Sequence, residues 1–415
     1  MGFSNSLIIR SKDNILVAGS NDHLQLGKAY FNNIEDNTEE NITSGEDTNI
    51  LSKLFTEEEY DNVPIKNILK TVSGKDFSFL IFKDELQSSP EFKDNINDDY
   101  HLINNVVAFG NNSKGQLGIN NNVEGIGITT LSKFFDSKIK DISCGFYHTL
   151  FLSENGNVYV TGTGNKGQLG LGFSNKERTY PIKIEGLPRI KKISCGVSES
   201  YLIDINNRVW SCGSNVKGQL GLGNNTDKYT FTQVPDLYDI SEISAGDGFV
   251  LALGFNGNVY ATGYNKLYQL GLQDGLDRNK FTIIPNSEYI SKIYTGIDYS
   301  ILLTRDKLIK CAGNGAAHQL GDPEIESPVK KFTEISTINN VRDVYTMIES
   351  MVVLLNDGSI QGAGNNSYGE LGIGSNSRNI TFTKLPESNV HTFTFDDSKV
   401  DITDGKYTEA KNYTV

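Results

Sequence analysis

Residues 110–118 read Gly-Asn-Asn-Ser-Lys-Gly-Gln-Leu-Gly, and close copies of this stretch return at regular intervals along the chain. The copies end at seven glycines: Gly27, Gly118, Gly170, Gly221, Gly271, Gly321 and Gly372. From Gly118 onward, the steps between these glycines are 52, 51, 50, 50 and 51 residues. A constant period of this size indicates one supersecondary unit repeated in tandem.

A second motif accompanies each copy. Its fullest form is residues 142–152, which read Ile-Ser-Cys-Gly-Phe-Tyr-His-Thr-Leu-Phe-Leu: an apolar residue, two small residues and a glycine, followed by an apolar run. The glycines of this motif are Gly74, Gly145, Gly196, Gly246, Gly296 and Gly405. Met347 takes the glycine's position in the sixth copy. Two motifs that alternate at fixed spacing define the repeat more firmly than either motif alone.

Between the motifs, the sequence favours β-strands. Residues 157–162, 208–213 and 258–263 are short β-branched or aromatic runs that follow Asn-Gly or Asn-Asn turn signals, which is typical of hairpins. Frequent glycines exclude long helices. Four strands per copy and seven copies predict an all-β fold, a seven-bladed β-propeller of about 50-residue repeats. The single tryptophan, Trp210, excludes a WD-repeat or kelch pattern.

The two motifs, at residues 110–118 and 142–152, resemble both hallmarks of the regulator of chromosome condensation repeat. The resemblance spans nearly the whole chain and implies a seven-bladed propeller. Propellers of this family serve as exchange factors, scaffolds, photoreceptors and inhibitors, so the fold alone does not identify the function. A photoreceptor function similar to that of the plant ultraviolet-B propeller needs clusters of tryptophan. The single Trp210 cannot form such a cluster.

We predict that residues 1–415 form one domain, because a closed propeller uses the entire length. The net charge of −13 is concentrated in two acidic insertions of the first copy, residues 32–62 and 84–104, which we expect to be loops, with room for a helical turn at 50–55. The remaining chain has a net charge near +1. The insertions are interpreted either as solvated padding or as an arm that attracts a basic partner.

The ends of the chain are predicted to meet. Residues 6–10 resemble the strand that follows each glycine turn, and the last such turn, at 402–405, lies ten residues before Val415. The amino-terminal strand is therefore expected to close the last blade. The sequence shows no signal peptide, no apolar stretch long enough to span a membrane and no basic cluster for nucleic acid. We expect a cytoplasmic or nuclear monomer that binds neither membranes nor nucleic acid directly.

No motif indicates chemical catalysis. The five histidines and four cysteines lack the spacing of a catalytic triad or a metal site, and no Gly-Lys-Ser/Thr follows the repeated glycines as in a phosphate-binding loop. We expect no cofactor and no metal. His148 is interpreted as a residue that anchors its turn by hydrogen bonds, because Phe, Glu, Tyr, Ser and Thr occupy its position in other copies.

The turns just after the small-residue glycines are the best candidates for recognition. In the exchange factor of the resembling family, loops of this class lie on one face and contact the Ran GTPase. The resemblance implies a ring of carboxylates and aromatic side chains at the equivalent positions: Asp76, Tyr147, His148, Glu199, Asp247, Asp298, Tyr299, Glu349 and Tyr407. Carboxylates at such turns could instead cap backbone amides.

Two functions remain open from the sequence. The first is a protein-binding propeller that regulates Ran or a related small GTPase, most specifically as a guanine-nucleotide exchange factor. The family's exchange factor also uses a protruding β-wedge, and this sequence has no clear counterpart. The alternative is a non-catalytic scaffold, similar to family members that partner a small metalloprotein in diphthamide and tRNA modification or that assist trafficking or ubiquitin machinery.

Overall fold

The computed structural model describes residues 6–10, 15–19, 48–53, 68–83, 105–131, 134–173 and 176–385. All regular structure within these ranges is β-strand, which confirms the predicted all-β class. The first strands are β1 (Ser6–Arg10), β2 (Ile15–Gly19) and β3 (Thr48–Lys53), and they pair antiparallel in that order as a three-stranded sheet.

The other described strands form six four-stranded antiparallel sheets, numbered here as blades 1 to 6. Blade 1 contains β4 (Ile68–Ser73), β5 (Phe77–Phe82), β6 (Val106–Gly110) and β7 (Ile126–Thr130). Blade 2 contains β8 (Ile139–Cys144), β9 (His148–Ser153), β10 (Val158–Thr163) and β11 (Glu177–Lys183). Blade 3 contains β12 (Ile190–Cys195), β13 (Glu199–Asp204), β14 (Val209–Gly213) and β15 (Lys228–Gln233).

The second half of the described chain repeats this arrangement. Blade 4 contains β16 (Ile240–Ala245), β17 (Phe249–Gly254), β18 (Val259–Gly263) and β19 (Arg278–Ile283). Blade 5 contains β20 (Ile290–Thr295), β21 (Tyr299–Thr304), β22 (Ile309–Gly313) and β23 (Val329–Glu334). Blade 6 contains β24 (Val341–Thr346), β25 (Ser350–Leu355), β26 (Ile360–Gly364) and β27 (Asn379–Lys384).

The predicted number of blades is wrong: the described residues form six four-stranded blades, not seven. A repeated motif marks one loop, whereas a blade requires four paired strands. The first copy contributes only β1, β2 and β3 to its sheet. The turn at 402–405, which we expected to share a sheet with β1, lies outside the described residues, as do the whole of insertion 84–104 and most of insertion 32–62.

One part of the first insertion is not the expected loop. Thr48–Lys53 forms β3, where the sequence analysis allowed a helical turn at 50–55. Leu16 of β2 pairs with Lys53, and Gly19 pairs with Thr48. Ladder hydrogen bonds to β2 therefore determine the conformation of this segment, and the acidic composition around it gave no sign of that pairing.

Burial explains why the second strand of each blade is strongly apolar. All six residues of β5 are buried, and the same is true of β9, β13, β17 and β21. Both faces of such a strand pack against neighbouring blades, so its apolar residues form a continuous run instead of alternating with polar ones. Complete burial of each Leu, Ile or Phe side chain contributes about 1.5–3 kcal/mol.

The first strands of neighbouring blades lie against one another and form the inner ring around the propeller axis. Ion pairs join these strands two by two. Lys192 of β12 lies 3.7 Å from Glu242 of β16, and Lys292 of β20 lies 3.0 Å from Asp343 of β24. Lys70 of β4 also pairs with Asp141 of β8. Charges of opposite sign therefore alternate from blade to blade.

The closing glycine of each repeat motif has a packing role between blades. A Cβ atom on Gly170 would lie 2.5 Å from the ring of Phe231, which belongs to the outer strand of the next blade. Gly221 and Phe281 have the same relation. Any side chain at these glycines would displace the aromatic ring. Glycine recurs at this position of the motif because the next blade packs an aromatic ring against it.

Candidate functional site

The turns between the first and second strands lie at one end of the inner ring, and we call this surface the turn face. Neighbouring turns touch through their backbones: the Asp247 amide donates to the Ile297 carbonyl at 3.0 Å. A Cβ atom on Gly246 would lie 2.7 Å from the carbonyl oxygen of Gly296. The repeated spacing of small residues and glycine in this motif therefore brings the turns close together around the axis.

Met347 is the exception among the copies of this motif, because it stands where the others have glycine. It is buried, and its amide donates to the Ser350 carbonyl at 2.9 Å, the same turn bond that the glycines make. The Met347 carbonyl also accepts a hydrogen bond from the Tyr299 hydroxyl at 3.2 Å. Methionine therefore keeps the backbone geometry of the turn and fills apolar space.

Three of the predicted site residues lie beneath the turn face. His148, Glu199 and Tyr299 begin the second strands of their blades, and each is buried. The position is one residue past the exposed part of the turn, where the strand enters the interior. The sequence analysis grouped these residues with the turn residues because they are adjacent in the motif, whereas the structure separates the two sets.

His148 is a neutral, enclosed side chain. Its Nε2 atom lies 3.0 Å from Ser200 Oγ, and burial lowers its pKa to about 4. Ser200 in turn donates to the Gln168 carbonyl at 2.7 Å. This arrangement agrees with the interpretation of His148 as a structural residue of its turn.

Glu199 is held by two donors below the face. Gln219 Nε2 donates to Glu199 Oε1 at 2.7 Å, and the Ser198 amide donates to Oε2 at 3.1 Å. Burial raises the pKa of Glu199 to about 8, and the nearby charge of Asp247 adds to the shift. The carboxyl group therefore connects the turn of blade 3 to the repeat motif that follows it.

Tyr299 links blade 5 to blade 6. Its hydroxyl lies 2.8 Å from the Ser350 carbonyl, in addition to the bond with Met347. Burial raises its pKa well above the usual value. Tyr299 therefore links the two blades by hydrogen bonds and does not contribute to the surface of the turn face.

Exposed or half-buried carboxylates occur together in blades 4 to 6. We call Asp247, Asp298 and Glu349 the acidic arc, because one lies in each successive turn. Burial raises the pKa of Asp247, and the charge of Asp298 raises it further. Burial also raises the pKa of Asp298, and Glu349 contributes to that shift. The three charges therefore lie close enough to repel one another, and a cation placed over them would relieve the repulsion.

Side-chain amides position two of these carboxylates. Asn314 Nδ2 donates to Asp298 at 2.7 Å, and Asn365 Nδ2 donates to Glu349 at 3.2 Å. Each asparagine directly follows the opening glycine of a repeat motif, and its amide also bonds to the carbonyl of the turn residue. The sequence did not mark these asparagines, because the residue after the opening glycine varies between copies and is Thr163, Ser214 or Tyr264 in three of them.

Blades 1 and 2 present a different surface on the same face. Lys75 Nζ lies 5.7 Å from the ring centroid of Phe146 and 5.5 Å from that of Tyr147, and it lies 3.3 Å from the Tyr147 hydroxyl. Asp76 lies 3.9 Å from the same ammonium group. We call Lys75, Phe146 and Tyr147 the cation–aromatic cluster, because the ammonium group is placed over both rings.

The predicted ring of carboxylates is thus divided. The structure brings Asp247, Asp298 and Glu349 together and places Asp76 beside the cation–aromatic cluster. Blade 3 separates the two groups with Val197 and Ser198 in its turn. Tyr407 lies outside the described residues.

Within the described ranges, no group of three or more His, Cys, Asp or Glu side chains is arranged to hold a metal ion. The four cysteines are free and buried, and burial raises the pKa of Cys195 and Cys311 to about 12. No helix among the described residues is long and apolar enough to cross a membrane.

Comparison with known families identifies the repeats. Models of the regulator of chromosome condensation (RCC1) repeat match residues 105–152, 155–203 and 206–253, and a second model of this repeat matches 139–168, 190–219 and 240–269. The human X-linked retinitis pigmentosa GTPase regulator is 36% identical over 123 residues, which cover 29% of this chain and 12% of that protein. The chain thus spans a small part of the length of that relative.

Solved structures support the same architecture. Human WBSCR16 aligns with a TM-score of 0.72 at 16% identity, covering 89% of this chain and 93% of the other. Prp20p from Saccharomyces cerevisiae aligns with a TM-score of 0.71 at 17% identity, covering 92% and 88%. At these identities the similarity concerns the fold alone. The chain is therefore a β-propeller that contains RCC1 repeats within residues 105–269.

Proposed function

We propose that the chain is a protein-binding propeller whose turn face receives a protein partner, and that its most specific role is regulation of Ran or a related small GTPase. The acidic arc is the observation that carries the proposal. Asp247, Asp298 and Glu349 hold like charges close together at exposed or half-buried turns. A basic surface on a partner would gain from all three charges at once.

Two relatives support this choice. The human relative is named a GTPase regulator, and the study of Prp20p concerns its binding to Gsp1p and histones. Those properties belong to the relatives. For this chain they favour a small GTPase over other basic partners, because the same fold presents its turns on one face.

The proposed activity is nucleotide exchange without chemical catalysis. An exchange factor accelerates release when it binds the nucleotide-free GTPase more tightly than the loaded form. On the turn face, the acidic arc would attract basic residues of the partner, and the cation–aromatic cluster would contact a second area of it. Two unlike areas on one face fix the orientation of a partner more firmly than a uniform ring would. We place this activity in the cytoplasm or nucleus.

The test immobilises the full chain and measures its affinity for three forms of Ran. These forms are Ran loaded with GDP, Ran loaded with GTP and nucleotide-free Ran. Exchange activity requires about 100-fold or tighter binding of the nucleotide-free state, a coupling of about 3 kcal/mol. The double variant Asp247→Lys, Asp298→Lys should abolish binding, whereas Asp306→Lys at an exposed position of another loop is the matched control. Equal affinity for all three states would exclude exchange.

The alternative is a non-catalytic scaffold or adaptor that uses the same face. The burial of His148 and Glu199 favours this alternative. With these two titratable side chains enclosed, the turn face offers a partner only charged and aromatic contacts. A scaffold binds its partner tightly and leaves the rate of nucleotide release unchanged. The same experiment therefore separates the two functions if binding is followed by a release assay.

A further inference from the structure

The end of the propeller opposite the turn face is formed by the hairpins between second and third strands, and we call it the hairpin end. It exposes four large apolar side chains in neighbouring blades. The exposed fractions are 56% for Ile205, 61% for Tyr238, 60% for Phe255 and 70% for Tyr289. Large aromatic side chains gathered on one surface are typical of interaction sites.

A groove of about 720 Å³ runs between blades 3 and 4 at this end. The connection between the two blades forms one wall and the hairpin of blade 4 forms the other. Its principal lining residues are Asp236, Tyr238, Asp239, Phe255, Asn256 and Tyr260. The volume is large enough for an extended side chain and part of the peptide that carries it.

The lining has a specific combination of chemistry. Tyr238, Phe255 and Tyr260 supply aromatic rings, while Asp236 and Asp239 supply carboxylates. No lysine or arginine is among the lining residues in the described part of the chain, and Lys191 at the edge of the groove is already bound by Asn207 and the Phe255 ring. Neither carboxylate forms an ion pair or side-chain hydrogen bond with another described residue. Their charges are therefore available to a ligand.

The molecule already uses one of these rings to hold a cation. Lys191 Nζ lies 5.2 Å from the ring centroid of Phe255 and also bonds to Asn207 at the edge of the groove. Similar contacts join Lys217 to Tyr264 elsewhere in the chain, at 4.9 Å. A ring face combined with nearby carboxylates attracts a guanidinium or ammonium group by two electrostatic effects that act together.

We propose that the groove binds an arginine or lysine side chain presented by a peptide segment of a protein partner. The aliphatic stem of that side chain packs on Tyr238 and Phe255, and its charged group pairs with Asp236 and Asp239. Exposed Ile205 extends the surface for a neighbouring apolar residue of the peptide. The groove lies at the other end of the propeller from the acidic arc, so the proposal does not depend on the GTPase function.

The test is selection of 12-residue peptides from a random display library on the purified full chain, followed by fluorescence anisotropy with the enriched peptides. We expect enriched peptides that share an arginine or lysine. Phe255→Ala and Asp239→Asn should each weaken their binding about 10- to 30-fold. Asparagine suits this position because Asp239 has a φ angle of +54°, which asparagine tolerates well.

Matched controls are Phe173→Ala, which removes an aromatic side chain that is 81% exposed at the outer edge, and Asp306→Asn in the hairpin of blade 5. Both should leave peptide binding unchanged. Unfolding midpoints of the variants should match that of the parent, because the altered side chains are exposed. Enriched peptides without a cationic residue, or affinities unchanged in Phe255→Ala and Asp239→Asn, would overturn the proposal.

Discussion

The turn face and the layer of side chains directly beneath it differ sharply, although they are neighbours in sequence. Asp247, Asp298 and Glu349 are accessible at the turns, while His148, Glu199 and Tyr299 are enclosed by adjacent blades. A step of one or two residues along the motif therefore separates accessible turn positions from positions enclosed between blades. We therefore expect substitutions beneath the face to alter the stability of the fold, and substitutions on the face to alter the binding of a partner.

The largest effect on stability is expected for Gly246→Ala. The new Cβ would lie 2.1 Å from the Phe249 ring and 2.7 Å from the Gly296 carbonyl oxygen. Neither neighbour can move without disturbing the inner ring, so we expect a loss of about 3 kcal/mol in the free energy of unfolding. Guanidinium unfolding measures it. The adjacent Asp247→Ala should change stability by less than about 0.5 kcal/mol, and equal losses for both would break the distinction between layers.

A smaller loss is expected for Tyr299→Phe, which keeps the ring and removes the hydroxyl. The carbonyls of Met347 and Ser350 lose their shared donor between blades 5 and 6. We expect a cost of about 1–2 kcal/mol in the same unfolding experiment. Tyr238→Phe is the matched control because that hydroxyl belongs to an exposed side chain. Indistinguishable midpoints for the two variants would show that Tyr299 does not fasten the blades.

The raised pKa of Glu199 should make the stability of the fold depend on pH. Its pKa rises from the usual 4.5 to about 8 in the folded protein, so the folded state retains a proton that the unfolded state has lost. The free energy of unfolding should therefore fall as the pH rises from 4.5 to 8.

Glu199→Gln should flatten this part of the stability profile, which thermal unfolding at a series of pH values measures. Glu349→Gln on the face is the control and should leave the slope as in the parent. A slope that persists in Glu199→Gln would assign the pH dependence to another group.

The smallest stability effect is expected within the acidic arc. Asp298→Asn removes the charge that raises the pKa of Asp247, so that pKa should shift downward. The change in unfolding free energy should stay below about 0.5 kcal/mol, because the charges are partly solvated. Carbon-13 NMR titration of labelled aspartate side chains measures the shift. An unchanged Asp247 pKa would mean that the carboxylates of the arc do not sense one another.

The sequence predicted much of the blade but not the number of blades. Runs such as 157–162 and 208–213 combine β-branched residues with Asn turns, and they form hairpin strands because these preferences are local. Closure depends on pairing between distant segments, which repeated motifs do not specify. Counting seven motifs therefore gave seven blades where six four-stranded blades occur.

The candidate site shows the same limit. The motif indicated that Asp247, Asp298 and Glu349 share one surface, because turns at equivalent positions of the repeat lie at the same end of the propeller. It could not show that Glu199 points inward, because burial there depends on Gln219 and the neighbouring blade. Nor could it show the pairing of Lys75 with two aromatic rings, which involves contacts between blades.

The most direct test of the account is the rate at which Ran releases a fluorescent guanine nucleotide at catalytic concentrations of this protein. The account predicts acceleration by the parent chain, little or none by the Asp247→Lys, Asp298→Lys variant, and full acceleration by Asp306→Lys. These variants should share one unfolding midpoint. Release that is unaffected by the parent chain, or equally accelerated by the arc variant, would contradict the assignment of the acidic arc as the surface that acts on the GTPase.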